Sequence, residues 1–266
     1  MALSNQFAMQ KVFSVKGFDI ETGELILTLK KMKETTFTNG QETVWVTGSD
    51  SRIASFDHSK TAMLSGASAL ISDELLALQT GEDVSNLVSS TLFEYEDTLT
   101  ITSDVAVTTY TATGTAGAEI GFAYILDANG SSLATLTQDA AATPTKFAYT
   151  SGTKALAFST GAYADGTKVR VVYHPTAATL KKIQSGSQTF AKTVRIVADC
   201  KLKDACNDKI IYGQLKADKG KISGAFEWNL TDGGEATVHN FECEFLESCD
   251  DDILWELLIV DPDDLT

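Results

Sequence analysis

The chain has 266 residues, 43% of them apolar, which is enough for one large β domain or two small ones. Thirty-six acidic residues against 21 basic ones give a net charge of −15, which disfavours tight binding to nucleic acid or an anionic membrane. Only 21% of the residues are charged and three are prolines, which argues against long disordered stretches.

No apolar stretch in the sequence suits a secretion signal or a membrane span. The opening residues lack the apolar run of a signal peptide, so we expect synthesis and folding in a cytoplasm. The longest nearly apolar stretch, residues 253–260, is interrupted by Glu256 and is too short to cross a bilayer. We therefore expect no membrane partner.

The first third of the sequence predicts short strands and then one helix. Alternating apolar residues indicate half-buried strands at residues 25–29, 43–46 and 52–56. Helical spacing follows, in Leu64, Ala67, Ile71, Leu75 and Leu78. Acidic Asp73 and Glu74 suit the first turn of a helix and Gly81 suits its end, so we predict a helix over about 67–80.

The composition changes between about residues 105 and 178, where Ala, Thr, Gly and Ser dominate and charged residues are few. Alternating strands are predicted on Ile120, Phe122, Tyr124 and Leu126, and on Val169, Val171 and Tyr173. Turns are predicted at residues 127–130 and 164–166, each ending in a glycine. These signals predict an inserted or elaborated β module over 105–178.

The last third predicts further strands and a closing hairpin. Val194, Ile196, Ala198 and Cys200 alternate along one strand. The hairpin would join residues 222–230 to a strand that buries Phe241, Cys243 and Phe245, through a turn at 231–234. The predicted fold is mainly β, an antiparallel β-sandwich or barrel with one short packed helix. Its main domain would comprise 1–104 and 179–266, with the additional β module at 105–178.

The end of the chain is strongly acidic. Residues 242–266 contain ten acids and no Lys or Arg. Two interpretations remain open: a solvated tail, or a surface that repels other anions or binds a basic partner. Three of the acids, Asp250, Asp251 and Asp252, are adjacent and offer hard oxygen ligands for calcium, but they lack the spacing and glycine of an EF-hand loop.

The four cysteines are the best candidates for a metal site. Cys200 and Cys206 are separated by five residues, as are Cys243 and Cys249, whereas pairs in structural zinc sites usually have two to four between them. Cys200 and Cys243 also share strand faces with apolar residues, where cysteine usually acts as a small buried hydrophobe. Core or free thiols are the favoured interpretation, and a metal site or disulfide is the alternative.

The three histidines suggest no catalytic site. Asp57, His58 and Ser59 are consecutive, and neighbours on an extended chain point to opposite faces, so they do not converge as a triad must. His174 and His239 are interpreted as structural or surface residues. The sequence contains no phosphate-binding loop, dinucleotide fingerprint or H-E-x-x-H pair. We therefore predict that the protein is not an enzyme and has no catalytic, cofactor-binding or metal-binding residues, and so no cofactor. The sequons at Asn129 and Asn229 carry little meaning without secretion.

Two stretches of the sequence carry a family resemblance: residues 44–84 and the closing stretch, residues 220–246. In the first, the residues that carry it are Arg52, Asp57, Ser59, Lys60, Ser65-Gly66, Leu75 to Leu78 and Thr80-Gly81. Both stretches resemble the major tail (tail tube) proteins of long-tailed bacteriophages that infect Gram-positive hosts. Together the two stretches cover about a quarter of the chain, and residues 105–178 depart from the minimal tube fold.

The resemblance implies a structural virion protein. Such a protein would be made in the host cytoplasm and would assemble with itself into stacked, hexameric rings that form the tail tube. Its partners would be copies of itself, the tape measure protein and other tail proteins. Genomic DNA would pass through the lumen without specific binding, and long hairpins would join the subunits by strand addition.

Two rival functions remain open. The first is another virion protein, a decoration, baseplate or adhesive module, for which the weakly charged 105–178 region would be the exposed binding domain. The second is a β-sandwich carbohydrate hydrolase that uses paired carboxylates as acid and base. Acids are plentiful, but nothing in the sequence selects a particular pair. A concave cleft with two facing carboxylates would favour the hydrolase.

Overall fold

The computed structural model describes residues 6–47, 49–206, 208–228, 237–248 and 252–265. The chain is mainly β and divides into two compact units. The first unit comprises Met1–Val84 and Ile183–Thr266, and the second comprises Ser85–Lys182. Residues 105–178 lie inside the second unit. Among the described helices, none combines the length and the apolar character needed to cross a membrane.

The described elements are one α-helix, one 3-10 turn and 17 strands. Those of the first unit before the insertion are β1 Phe7–Phe18, β2 Leu25–Lys30, β3 Met32–Thr47, β4 Arg52–Ser68 and α1 Asp73–Thr80. Those of the second unit are β5 Ser85–Ser90, β6 Tyr95–Thr100, β7 Val105–Val107, β8 Phe122–Leu126, β9 Ser132–Gln138, β10 Lys146–Thr150, β11 Ala155–Ala157, β12 Lys168–Tyr173 and β13 Ala177–Lys182. The first unit resumes with β14 Thr193–Asp204, β15 Ile210–Ile222, β16 His239–Phe245, β17 Glu256–Val260 and the 3-10 turn Pro262–Asp264.

The first unit is built on one eight-stranded sheet, which brings distant parts of the chain together. The strand order is β2-β1-β14-β15-β16-β4-β3, and β17 pairs with β15. β1 pairs antiparallel with β14, from Phe7 opposite Asp204 to Phe18 opposite Arg195. The predicted alternation of β14 is confirmed, because Val194, Ile196, Ala198 and Cys200 are all buried in the core of this unit. The described sheets, with Leu75 and Leu78 of the one helix in the core of the first unit, confirm the predicted mainly β sandwich or barrel with one short packed helix.

The predicted helix exists but is shorter than expected. It begins at Asp73 rather than near residue 67, because Ala67 belongs to β4 and pairs there with Glu34 of β3 and Asn240 of β16. The spacing of Leu64 and Ala67 fitted a helix by coincidence. Ser72 is the N-cap, with its side-chain oxygen accepting from the Leu75 N–H. Gly81 ends the helix at a φ of 74°, the left-handed conformation predicted for it.

The predicted closing hairpin is only partly correct. β15 ends at Ile222 and residues 223–228 are irregular, so the predicted strand over 222–230 is wrong for 223–228, while 229 and 230 lie outside the described residues. Its partner is confirmed: β16 buries Phe241, Cys243 and Phe245. β16 pairs with β15 only at its end and with β4 along its length. The predicted turn at 231–234 lies outside the described residues.

A close approach explains why glycine stands at residue 220 in this sheet. A Cβ at Gly220 would lie 2.6 Å from the Sγ of Cys243 on the neighbouring strand. Any larger residue there would displace the buried thiol or the strand itself, because a packed core has no free space to absorb a methyl group.

The second unit has its own sheet and core. Its seven strands follow the order β6-β12-β8-β9-β10-β11-β7, antiparallel except for β9 and β10, and β5 pairs with β13 in a separate ribbon. The predicted buried face of β12, with Val169, Val171 and Tyr173, is confirmed. Both predicted turns are confirmed, with Gly130 and Gly166 at positive φ.

One prediction for this unit is wrong. β8 buries Ala123 and Ile125, whereas Phe122 is 51% exposed, so the predicted alternation is inverted there. Ile120 and Leu126 of the predicted set are buried. The small Ala123 faces the core of the second unit, and β8 is a central strand between β9 and β12. Residue size therefore misled the assignment of the buried face.

Candidate assembly surfaces

The most prominent surface feature of the first unit is a long hairpin formed by β3 and β4. The two strands pair along their whole length, from Met32 opposite Ser68 to Thr47 opposite Arg52. β16 pairs with β4 only from Ala62 to Ser68, so the part of β4 before Ala62 has no described strand partner except β3. At about 3.3 Å per residue, the ten residues from Arg52 to Thr61 extend roughly 30 Å beyond that pairing. We call residues 38–47 and 52–61 the hairpin arm.

The arm exposes apolar side chains that the rest of its own unit does not cover. The largest are Val44, Trp45, Val46, Ile53 and Phe56, all more than 40% exposed. Val44 stands opposite Phe56 on one face of the arm, while the Trp45 ring lies under the Arg52 guanidinium on the other, 4.5 Å from it. A concentration of exposed apolar groups marks an interaction surface.

Unpaired backbone edges accompany these apolar side chains. β3 is the last strand of the sheet order and β2 is the first, so each has one edge without a described partner. Such edges present N–H and C=O groups in a row and accept a strand from another chain. A two-stranded ribbon alone is only marginally stable in water, so packing against another subunit would stabilise the arm.

Two grooves of opposite charge also open on the first unit. The lysine groove, of about 530 Å³, is bordered by Lys11, Lys16, Lys30 and Lys31, and Asp199 is the one acid among its described lining residues. The acidic groove, of about 550 Å³, is bordered by Glu34, Glu227 and Glu242, with no cation among the lining residues that the structure describes.

The acidic groove is the concave, carboxylate-bearing feature that the hydrolase hypothesis requires. Its three glutamates are all exposed to solvent. A general acid that works near neutral pH needs an environment that keeps its proton, usually an apolar pocket. The groove supplies no buried carboxyl group, so its geometry does not favour glycoside hydrolysis.

Asp199 is a buried carboxylate at the lysine groove that the sequence did not single out. Its carboxylate accepts hydrogen bonds from Ser14 at 2.8 Å and Gln214 at 2.9 Å, and it pairs with Lys16 at 2.6 Å. Burial opposes ionisation, but the bonds from Lys16, Ser14 and Gln214 outweigh it and hold the pKa of Asp199 below its ordinary value. The four residues come from three strands, so only the pairing of β1, β14 and β15 brings them together.

The described cysteines do not form a metal site. Cys200 and Cys243 are free thiols buried in the core, and Cys206 is exposed. Burial raises the pKa of Cys200, and it raises that of Cys243 to about 12. Among the described residues, no group of three His, Cys, Asp or Glu side chains could hold a metal ion. Cys249 lies outside the described residues.

The Asp57, His58 and Ser59 sequence does not form a triad. Asp57 accepts a hydrogen bond from the Thr43 hydroxyl at 2.7 Å, while His58 contacts Glu42 at 3.1 Å on the opposite face of the arm. His174 lies at the end of β12, with its Nδ1 3.3 Å from the Phe93 carbonyl oxygen. Asp252 is exposed and Asn129 occupies the predicted turn, while Asp250, Asp251 and Asn229 lie outside the described residues.

His239 is fully buried and serves a structural role. Its Nδ1 accepts from the Trp228 indole N–H at 2.8 Å, and its Nε2 lies 2.6 Å from Oε1 of Gln79. An indole N–H can only donate, so Nδ1 carries no proton and Nε2 donates to Gln79. Burial lowers the pKa of His239, in keeping with a neutral ring. The network ties the helix to β16 and to the irregular segment before residue 229.

The acid-rich end of the chain is not simply a solvated tail. It contains the last part of β16, residues 242–245, and all of β17, and Leu257 and Ile259 of β17 pack against the core. Lys209 pairs with Asp261 and Asp263, each at 2.6 Å, and these pairs hold the pKa of Asp261 below its ordinary value. The tail interpretation is therefore wrong for these residues, because strand pairing and ion pairs fix them to the sheet.

Comparison with protein families yields a match over most of the chain. The family model described as the YomU/Tube protein family matches residues 7–254, nearly the whole chain and parts of both units. A search of curated proteins finds no match.

Proposed function

Because the chain belongs to the YomU/Tube protein family, a family of tube-like phage structural proteins, we propose that it builds the tail tube of a long-tailed phage of a Gram-positive host. Copies would associate into six-membered rings, and the rings would stack into a tube around the tape measure protein. Genomic DNA would later pass through the lumen. Other tail proteins would bind the ends of the tube, and the protein would act in the virion after synthesis in the host cytoplasm.

The hairpin arm is the observation that carries this proposal. It extends roughly 30 Å past the strand that flanks its base, exposes five large apolar side chains, and has an unpaired strand edge. A surface of this kind is costly for a monomer and useful to a subunit that is covered by its neighbours. Contacts between two different surfaces of the same chain close into rings or extend as open stacks.

The net charge supports the role of DNA conduit. A ring of six copies would carry a formal charge of −90, six times −15. Where acidic side chains line a lumen, they repel phosphates, so DNA slides without binding to the wall. Tight, specific DNA binding would obstruct passage, and the composition of this chain disfavours it.

Electron microscopy of purified protein tests the proposal. Concentrated wild-type protein should form rings or tubes in negative stain, and class averages viewed down the axis should have sixfold symmetry. Protein that stays monomeric at high concentration, alone and together with its tape measure protein, would exclude the proposed assembly.

A second candidate function concerns the second unit alone. This unit has its own buried core and exposes Phe122 and Leu133 on strands of its sheet, as an appended binding module on the virion surface would. Removal of residues 85–182, with a short Gly-Ser linker between Val84 and Ile183, separates the two roles. Assembly that survives with loss of host binding supports a binding module, whereas loss of assembly makes the unit part of the scaffold.

A further inference from the structure

We propose that the lysine groove of one copy binds the acidic groove of a second copy of this chain. This inference rests on the proposed function, because it specifies one of the contacts through which subunits would assemble. It concerns a surface separate from the hairpin arm, whose contribution is apolar.

The lysine groove has uncompensated positive charge. Lys16 is paired with Asp199, but the ammonium groups of Lys11, Lys30 and Lys31 have no ion pair within the described part of the chain. All three of these lysines are exposed. Four lysines and one aspartate give the groove a formal charge of +3, in a chain whose net charge is −15. Such a cluster of unpaired cations is electrostatically complementary to an anionic partner.

The acidic groove is the counterpart on the same unit. Glu34, Glu227 and Glu242 give it a formal charge of −3, and none of the three has an ion pair among the described residues. Phe226 and Ala225 contribute apolar surface to the same groove. The two grooves therefore have opposite formal charges of equal size.

The attraction between the two grooves acts at short distance, whereas the repulsion between the net charges of two copies acts over longer distances. At physiological salt the Debye length is about 8 Å, so most charges spread over two copies at −15 are screened. Opposed side chains at about 4 Å are screened much less. The local attraction therefore persists where the general repulsion fades.

A second copy fits the lysine groove better than nucleic acid does. Proteins that bind DNA tightly neutralise about six to ten phosphates along a track, whereas this groove offers three free cations. Each copy also supplies both partners of the contact. Because the contact joins two different surfaces, it can be repeated from one copy to the next, as rings and stacks require.

Charge reversal tests the contact. The first variant, Lys11→Glu with Lys30→Glu, makes both grooves acidic, and the second, Glu34→Lys with Glu242→Lys, makes both basic. Alone, each should self-associate at least about a hundredfold more weakly than wild type in sedimentation velocity, because like charges would face each other. A 1:1 mixture should regain wild-type association, since every contact then pairs opposite charges. Rescue in the mixture also excludes misfolding as the cause.

Charge-matched controls separate the grooves from the net charge. Lys168→Glu with Lys182→Glu and Glu21→Lys with Glu24→Lys change the net charge equally at exposed sites outside both grooves. These controls should stay within about threefold of wild type, a difference below roughly 0.7 kcal/mol. Controls that weaken association as much as the groove variants, or a mixture that does not recover, would overturn the inference.

Two further measurements separate this inference from its alternatives. Calorimetric titration of one groove variant into the other measures the contact directly, even if wild-type protein forms no rings. Wild-type rings without this heterotypic binding refute the groove contact alone, and binding without rings refutes only the proposed tube. If the lysine variant loses affinity for a short DNA duplex while its self-association is unchanged, the groove binds nucleic acid and the inference is wrong.

Discussion

The hairpin arm provides the sharpest prediction about assembly. Replacing Ile53 and Phe56 by serine removes two large apolar side chains that are 70% and 64% exposed. Because these side chains bury little surface within their own subunit, the double variant should fold normally. Its thermal midpoint should stay close to that of wild type.

The expected loss follows from the area that assembly would cover. Full burial of such a side chain contributes about 1.5–3 kcal/mol, and roughly two-thirds of each remains available for an interface. The two residues together then account for about 2–4 kcal/mol per contact, or roughly a 30-fold to 1,000-fold change in the association constant. In a tube each subunit makes this contact repeatedly, so the shift in assembly should be cooperative.

Sedimentation velocity over a concentration series would measure the effect, with negative stain to identify the assembled species. The double variant should assemble only at a much higher concentration than wild type. Val88→Ser with Leu133→Ser is the matched control, because these side chains are 77% and 69% exposed on the second unit. If the arm variant assembles at the wild-type concentration, the arm is not an assembly surface and our reasoning from its exposure is refuted.

Three further predictions concern the interior of the first unit. Burial lowers the pKa of His239, so the stability that its neutral ring contributes is complete above its unfolded pKa, about 6.5, and declines as pH falls below that value. In urea unfolding, the free energy of unfolding should therefore differ less between pH 7.5 and 5.5 in His239→Gln than in wild type. Asp199→Asn should destabilise the unit by about 1–3 kcal/mol in urea unfolding, because Lys16 loses its charged partner. With Cys206→Ser and Cys249→Ser both introduced, Cys200 and Cys243 should react with a thiol reagent only after unfolding, because both are buried.

Each of these has a clear contrary outcome. An unchanged pH difference in His239→Gln would assign that difference to other groups. The buried carboxylate would be dispensable if Asp199→Asn unfolded at the wild-type urea concentration, and Ser131→Ala, at an exposed turn, is its control. Rapid reaction of the two remaining thiols in the native state would contradict the burial of Cys200 and Cys243.

Regular alternation made much of the fold predictable from the sequence. The faces of β12, β14 and β16 were predictable because each strand packs one apolar side against a core. The end of α1 was predictable because Gly81 adopts the left-handed conformation that favours glycine. These signals are local, so neighbouring residues suffice to reveal them.

The errors arose where tertiary pairing overrides local pattern. Ala67 was assigned to the helix, but pairing with β3 and β16 keeps it in a strand. The arm was missed because its two segments appeared as short strands, and only the full register from Met32 to Thr47 reveals its length. The Asp199 cluster and the two charged grooves were invisible because their residues are distant in sequence and become neighbours only through strand order.

The pairing of β1 with β14 also determines when this protein can fold. Phe7 meets Asp204 only after most of the chain has left the ribosome, which at about 5–20 residues per second takes roughly 10–40 s. The second unit, continuous from Ser85 to Lys182, is complete well before that moment and can fold first. A prematurely terminated chain that lacks β14 to β17 could not complete the large sheet. Its first unit would not fold, so a truncated subunit could not join a growing tube.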